Sequence, residues 1–411
     1  MTIASKLIEL KDAVENIRAA IVTKGAVLPT GSPLTAFPAA VESISGGGEG
    51  WVRPSHWPAL PDVDNRFSGL VRVPKPPNAT AAGFVVTVTL LNSVTVQINW
   101  GDGATSTIGS GTATHTYNWN TMTGPEDADG FKYAVVSTTS SAPQQPGYSF
   151  SAAGDHGGWV DLWLPHRTLS SHAFYGSSAR LSVYRIRYSG KPTMTQDTMF
   201  KNMAMLRVID LGGAQPTSLA NWFDSCVLLE EITGLDTSQV TSFNFAFYNC
   251  NALRDFSWIS FAKATDMTSA FAGCYGLKSI TLNAPTITSL STTFDGCNSL
   301  RRAEVIAPAA TSAAYIFRGC ALLTDVTLHT AAGASRNNAY HRSDMISWIN
   351  DLSASTMTVS VSYCNLNAAA LNKIFTDLGT VTSGTITISY APGAATCNRS
   401  IATAKGWTVT G

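Results

Sequence analysis

The side chains best able to do chemistry fall into three groups. Of seven cysteines, five, Cys226, Cys250, Cys274, Cys297 and Cys320, recur at steps of 24, 24, 23 and 23 residues. A thiolate can ligate a metal or act as a nucleophile, but ligation calls for a C-x-x-C pair or a His partner at ligand spacing, and the sequence offers neither. A single recurring position predicts instead that each thiol fills the same narrow buried slot as a small hydrophobe. Cys364 and Cys397 stand outside that ladder. The second group is Trp100-Gly101-Asp102-Gly103 followed by His115-Thr116-Tyr117. Asp102 and His115 could serve acid/base or metal chemistry. However, Asp-Gly between strand-like runs is a turn signal, because Gly supplies positive φ and Asp bonds its own backbone. Both are expected to fasten a β corner together with Trp100, Gly101, Gly103 and Tyr117. The third group is carboxylates. Glycan cleavage needs two of them about 5–9.5 Å apart. Glu230 and Glu231 are adjacent and would point to opposite faces of a strand, while Asp295 and Glu304 occupy isolated positions. Asp155, His156 and His166 are accounted for by a charged first turn of the repeat region. G-x-S-x-G, H-E-x-x-H and P-loop patterns are missing from the sequence. The expectation is a chain that is not an enzyme, with no catalytic residue, no cofactor and no metal.

The cysteines are positioned by a repeat. Phe174, Phe200, Phe223, Phe247, Phe271, Phe294 and Phe317 succeed one another at steps of 26, 23, 24, 24, 23 and 23. Three residues after each comes Ser177, Met203 or one of the five cysteines, and three further on comes Leu206, Leu229, Leu253, Leu277, Leu300 or Leu323, with Leu181 one residue out of step in the first copy. The unit is F-x-x-C-x-x-L-x-x-Φ-x-Φ, with Φ apolar. One such unit cannot bury its apolar edge alone, so stacked coils of a solenoid are predicted, with Phe, Cys and Leu as interior ladders. Strand pairing at ~4.8 Å would make seven coils roughly 34 Å long. Short strands are expected at 209–211, 256–258, 280–282 and 326–328. Between their inward residues lie Asp210, Thr233, Ser257, Thr281, Glu304 and Thr327, a polar stripe that forms the candidate binding face. The residue after each Phe (Tyr175, Lys201, Asp224, Tyr248, Ala272, Asp295, Arg318) varies freely and is expected to be exposed. Beyond the repeats, 331–411 reads as an α/β cap, with helices over 366–378 and 399–405 and strands over 384–388 and 406–409.

Ahead of the repeats, 81–150 carries Val/Thr-rich runs at 84–91, 94–100 and 131–138, suited to a small β-sandwich. The Gly- and Pro-rich stretch 46–80 reads as a hinge and connector. In 1–45, Ile3, Leu7, Leu10, Val14, Ile17 and Ile21 are spaced 4, 3, 4, 3 and 4, a heptad seam compatible with trimers. This segment is expected to attach or oligomerise; the competing reading is an amphipathic helix docked on its own chain.

Composition narrows the function classes. Only 13% of residues are charged, against ~25% in ordinary soluble domains. Lys+Arg and Asp+Glu balance at 27 each, which argues against a polyanion-binding surface and so against nucleic acid as partner. Ten Trp, 17 Phe and 12 Tyr argue against disorder. Lys6, Glu9, Lys11, Asp12, Glu15 and Arg18 interrupt the first apolar residues, so no secretion signal is read, and no run reaches the ~18 apolar residues of a membrane span.

The F-x-x-C-x-x-L units over roughly 165–330 resemble the BspA-like branch of leucine-rich repeats. The WGDG…HxY spacing over roughly 80–140 resembles the polycystic-kidney-disease-type (PKD-like) β-sandwich. The connector residues Arg53, Pro54, Trp57, Leu60 and Pro61, together with the ending IATAKGWTV, complete an order that looks like a tail fibre or related structural protein of a tailed bacteriophage. The stretch LPTGSPLTAFPAAVESI is similar to segments that attach such proteins to the virion. The resemblance implies a mainly β chain: an N-terminal α-helix (1–45), a hinge (46–80), a small sandwich (81–150), a leucine-rich-repeat-type solenoid (151–330) and the cap (331–411). It further implies a homotrimer located in the virion and assembled in the host cytoplasm. Its partners would be tail, baseplate or capsid proteins through the N-terminus, and a host surface glycan or protein at the repeats. A bacterial surface adhesin with the same repeats is the alternative, and a glycan depolymerase a third reading.

Overall fold

The computed structural model describes residues 51–61, 66–76, 83–140, 147–152, 158–165, 168–169, 182–194, 197–331, 334–336, 338–343, 346, 348–350 and 358–411. The chain divides into two units, Met1–Arg53 and Pro54–Gly411, and nearly all described residues belong to the second. The heptad residues, the glycines at 46–50, the first repeat copy at Phe174, and Asp155, His156 and His166 lie outside the described residues.

The first part of the larger unit is a two-layer antiparallel sandwich. Its strands are β1 (Ser68–Pro74), β2 (Phe84–Leu90), β3 (Val96–Asn99), β4 (Thr105–Ile108), β5 (Gly111–Tyr117), β6 (Phe131–Thr139), β7 (Tyr148–Ala152) and β8 (Gly158–Leu164). One layer runs β8-β1-β6-β3-β4 and the other β5-β2-β7. Alternation decides which side chains enter: on β2, Val86, Val88 and Leu90 are buried while Thr87 and Thr89 are not. Between the layers Phe67 packs on Tyr148, Phe150 and Trp159, with ring centroids 5.1, 4.8 and 5.6 Å away. β1 corrects the reading of 46–80 as connector throughout. It is a central strand, paired with both β6 and β8, and its first four residues are all buried. Flanking prolines disguise it in the sequence, and burial on both faces removes the alternation that marks a strand.

β8 is where the sandwich becomes a solenoid. It pairs antiparallel with β1 on one edge and parallel with β10 (Arg185–Tyr188) on the other; the two-residue strands β9 (Thr168–Leu169) and β11 (Thr193–Met194) pair separately. β12 (Val208–Ala214) and β13 (Glu231–Leu235) continue the same sheet in parallel. A second parallel sheet holds β14 (Ser279–Asn283), β15 (Arg302–Ala307), β16 (Asp325–Thr330) and β17 (Trp348–Asn350). A third holds β18 (Thr358–Ser360), β19 (Gly384–Thr387) and β20 (Trp407–Thr410). The molecule is mainly β, and its solenoid makes about nine turns. The break between β13 and β14 corrects the strand expected at 256–258. There Asp255 Oδ1 accepts the Ser257 N–H at 2.9 Å and Ile259 N–H donates to Phe256 O at 3.1 Å, so the backbone turns instead of pairing. The coil stays in the stack through the other side of the solenoid, where parallel bridges Ser218–Ser242–Asp266–Ser289–Ser312–Ser335 run past it unbroken.

The end of the chain carries the two expected helices, α1 (Ala368–Asp377) and α2 (Ser400–Thr403). Asn367 caps α1 by accepting the Ala370 N–H at 2.9 Å, and Ala370, Leu371, Ile374 and Phe375 form its buried face. Among the described residues no helix is long and apolar enough to cross a membrane.

Candidate functional site

The repeat ladder is an interior column. Phe200, Phe223, Phe247, Phe271, Phe294 and Phe317 are fully buried and stack nearly parallel, with centroids 5.4–5.6 Å apart and planes within 10°. The cysteines do more than fill space. Cys226, Cys250, Cys274, Cys297 and Cys320 each donate Sγ–H to the carbonyl of the Phe one coil earlier, at 3.1 Å. Ser343 makes the same bond to Phe317 O at 2.7 Å and Cys364 makes it to Tyr340 O at 3.4 Å. Cys364 is therefore a rung, which corrects its placement outside the ladder. The Phe column continues as Tyr340, Val361 and Ile388, so coils run on into the segment read as a cap. Burial pushes the thiols of Cys226, Cys250, Cys274, Cys297 and Cys320 up, that of Cys297 to about 12, so they stay protonated and unreactive.

The position after each Phe is not freely exposed. Asp224 and Ala272 are buried and the others described are half-buried. Lys201 pairs with Asp224 at 2.7 Å, and Arg318 grips Asp295 in a two-pronged pair whose Nε–Oδ1 arm is 2.9 Å. Charges that vary along the sequence are thus complementary between neighbouring coils, which is why they look random one at a time.

The WGDG corner is built as a clasp. His115 stacks on Trp100 with centroids 5.0 Å apart, and its Nε2 lies 2.7 Å from Asp102 Oδ2. Tyr117 Oη donates to Trp100 O at 2.7 Å, and Trp100 Nε1 donates to Ser106 Oγ at 2.9 Å. Gly101 sits at φ +85°, where a Cβ would meet Val135 O at 2.5 Å; Gly103 has φ +94°. Burial raises the Asp102 carboxyl, but the His115 side chain, the Ala104 N–H and the His115 charge together bring it below its ordinary value.

The candidate binding stripe divides. Asp210 and Thr233 are cross-strand neighbours in one sheet, and Thr281, Glu304 and Thr327 are neighbours in the next. Ser257 lies in the turn between them, exposed but out of register. Asp210 accepts the Gly212 N–H at 3.0 Å and so supports the bulge in β12. Glu230 is ion-paired with Arg207 at 2.5 Å, while Glu231 is exposed at the start of β13. Among the described residues no group of three or more His, Cys, Asp or Glu could hold a metal.

Sequence reasoning missed two exposed features. Thr217, Thr241, Thr265, Thr288 and Thr311 form a column in which each Oγ1–H after the first donates to the carbonyl of the preceding Thr, at 3.0–3.3 Å. Their steps of 24, 24, 23 and 23 carry the same period as the Phe ladder and were legible in principle. The other feature is a stacked pair of tyrosines, Tyr363 and Tyr390, whose centroids are 4.4 Å apart. No motif marks them.

In comparison with known families, residues 164–265 and 244–367 match the BspA type leucine rich repeat region in six copies. This solenoid is a BspA-type leucine-rich repeat region. The BspA-type match covers the coils that carry the Phe and Cys ladders, including the rungs at Tyr340 and Cys364. No curated protein matches the chain. Among solved structures, the crystal structure of a TLR13–ssRNA13 complex is similar at 10% identity, with a TM-score of 0.19, covering 56% of this chain and 43% of that one. The chain spans less than half of that protein, and so loose a superposition carries no argument.

Proposed function

We propose that this protein is a non-catalytic surface-contact protein: a BspA-type solenoid, held rigidly on a β-sandwich, that presents an exposed polar face to a partner. The observation that carries this reading is where the chemically able groups go. The ladder thiols are buried and donate to carbonyls, Asp102 and His115 clasp a corner, and the charges after each Phe pair between coils. What remains at the surface includes the regular threonine column and the Thr281, Glu304 and Thr327 row, and extended faces of this kind are what solenoids use for binding.

The finer reading places the chain on a bacteriophage particle as a tail fibre or receptor-binding protein, trimeric and attached through residues 1–45. It rests on the resemblance of the N-terminal segment, the connector and the PKD-like WGDG domain to virion proteins. The BspA-type match favours a second reading, a bacterial surface adhesin. Gold-labelled antibody against the chain, applied to cells carrying its gene and to particles they release, separates the two. Label on particle tails is expected. Label on the cell surface alone would replace the virion reading by the adhesin, and label on neither would remove both.

A further inference from the structure

The residue that follows each ladder leucine makes a column of its own: Arg207, Glu230, Arg254, Lys278, Arg301 and Thr324. Arg207 and Glu230 cancel each other across neighbouring coils, 2.5 Å apart. The next three members do not. Arg254, Lys278 and Arg301 are all exposed, and among the described residues none of them has an ion-pair partner. The chain-wide balance of 27 cations against 27 carboxylates conceals this row, because it averages over coils that pair their charges.

The three stand on consecutive coils. Lys278 O accepts the Arg301 N–H at 2.8 Å, and Arg301 O accepts the Thr324 N–H at 2.9 Å. Arg254 leans over the coil that carries Lys278: a Cβ on Gly276 would stand 3.2 Å from its Cγ. Three positive charges therefore run in single file along the solenoid, one per coil spacing of ~4.8 Å. Like charges facing each other on neighbouring strands are destabilising. Elsewhere the coils avoid this, as Lys201–Asp224 and Arg318–Asp295 show. The carboxylates beside the row are engaged: Asp255 Oδ1 accepts the Ser257 N–H at 2.9 Å, and Asp325 lies 4.0 Å from Arg302, a fourth cation next to the row. Glu304 stands farther along β15, beyond Arg302.

We propose that Arg254, Lys278 and Arg301 form a contact line for a linear polyanion, a polymer with one negative group per repeat unit laid along the solenoid axis. Single-file geometry favours an extended polymer over a lone anion, which would meet only part of the row. Charge density favours a sparsely charged surface polymer over nucleic acid. One cation per ~4.8 Å is far thinner than the one charge per ~1.7 Å of a DNA duplex. Single strands are held by a succession of stacking rings, whereas the turn before Lys278 offers Tyr275, 47% exposed. The row reads charge and spacing and not the anionic group itself, so the carboxylates of a polyuronate and the phosphodiesters of a poly(glycerol phosphate) share the chemistry it recognises. The proposal rests on the surface-contact reading and gives it a partner class.

The test measures binding of the full chain to immobilised polygalacturonate, poly(glycerol phosphate) and duplex DNA across a salt series. The wild-type chain is expected to bind at least one of the first two, more tightly than the duplex, and to release it as salt rises. Which of the two it prefers assigns the anionic group. Fully methyl-esterified polygalacturonate, which keeps the sugar and loses the charge, should not be bound. Lys278→Glu should cut affinity at least tenfold while the thermal midpoint holds or rises, because the new carboxylate falls between two cations. Lys263→Ala, which removes an exposed cation elsewhere on the solenoid, should stay within about twofold. Binding to neither polymer, tighter binding to the duplex, equal binding of the ester, or wild-type affinity in Lys278→Glu would each overturn the contact line. So would an equal loss in Lys263→Ala. Failure here leaves the immunogold result untouched: a chain labelled on particles that binds neither polymer keeps its proposed function and loses only this site.

Discussion

At the scale of single residues, the ladder separates what a ring contributes from what a thiol contributes. Phe271 is fully buried between Phe247 and Phe294 and also meets Phe256 edge-on at 4.6 Å. Phe271→Ala should therefore cost ~3–5 kcal/mol, as large-to-small changes in closed cores do. Cys274→Ala removes one small side chain and one weak bond to Phe247 O, a carbonyl that keeps the Cys250 N–H at 3.1 Å. Its cost should be lower, ~1–2 kcal/mol. Urea titration of both variants checks the ordering, and an equal or inverted pair of values would mean the column does not carry the packing. A related expectation concerns reactivity. Cys397 is the one cysteine not fully buried, so a thiol reagent added to native protein should modify Cys397 and leave the six buried thiols intact. The WGDG clasp predicts a pH effect. Asp102 has a folded-state pKa below its ordinary 3.8. A group shifted that way adds stability that is complete above the unfolded value and disappears as pH falls through the folded one. Asp102→Asn should thus flatten the loss of stability below about pH 4 while leaving the pH 5–7 plateau level, read from thermal midpoints across that range.

At the scale of elements, legibility followed periodicity. The coils from Phe200 to Phe317 were readable because Phe and Cys repeat with little substitution. The next coils were not, because Tyr340, Val361 and Ile388 keep the apolar character but not the letter, and Ser343 keeps the donor but not the sulfur. α1 was readable from helix-period apolar residues, and both α1 and α2 lie within the ranges expected. β1 was lost among prolines, and the strand expected at 256–258 was displaced by an Asx turn that no period reveals. Of the candidate binding stripe, the register of Thr281, Glu304 and Thr327 followed from the repeat, whereas the tyrosine pair is defined by backbone conformation and could not. The element most worth perturbing is β8. Its Asp161 is fully buried and held by Arg185 of β10 through two bonds, at 2.9 and 2.5 Å. Removing one partner of a buried pair leaves the other uncompensated, so Asp161→Ala should destabilise by ~3–5 kcal/mol. A change near zero in a chemical denaturation curve would show that the pair is not what joins the two strands.

At the scale of the whole molecule, the low charge has a structural meaning. Among the described coils, Lys201–Asp224, Arg207–Glu230 and Arg318–Asp295 are charges paired between neighbours, while Arg254, Lys278, Arg301 and Glu304 stay exposed. The continuous sheet from β4 to β13 through β8 means the sandwich and the first coils have no free boundary between them. Repeat arrays pass stability from neighbour to neighbour, so the unit Pro54–Gly411 should melt as a coupled body. Residues 1–45 fall in the other unit, on the far side of the division at Arg53. These two points fix the expectation for a truncation. A chain lacking residues 1–45 should keep the thermal midpoint of the full chain to within about 2 °C, since a ΔΔG near zero moves the midpoint little. If the heptad seam of Ile3, Leu7, Leu10, Val14, Ile17 and Ile21 is the assembly element, that same truncated chain should sediment as a monomer while the full chain sediments as a trimer. Analytical ultracentrifugation of both decides it. A truncated chain that still sediments with the full-length oligomer would move assembly onto the sandwich or the solenoid, and would make part of their exposed face an interface between copies.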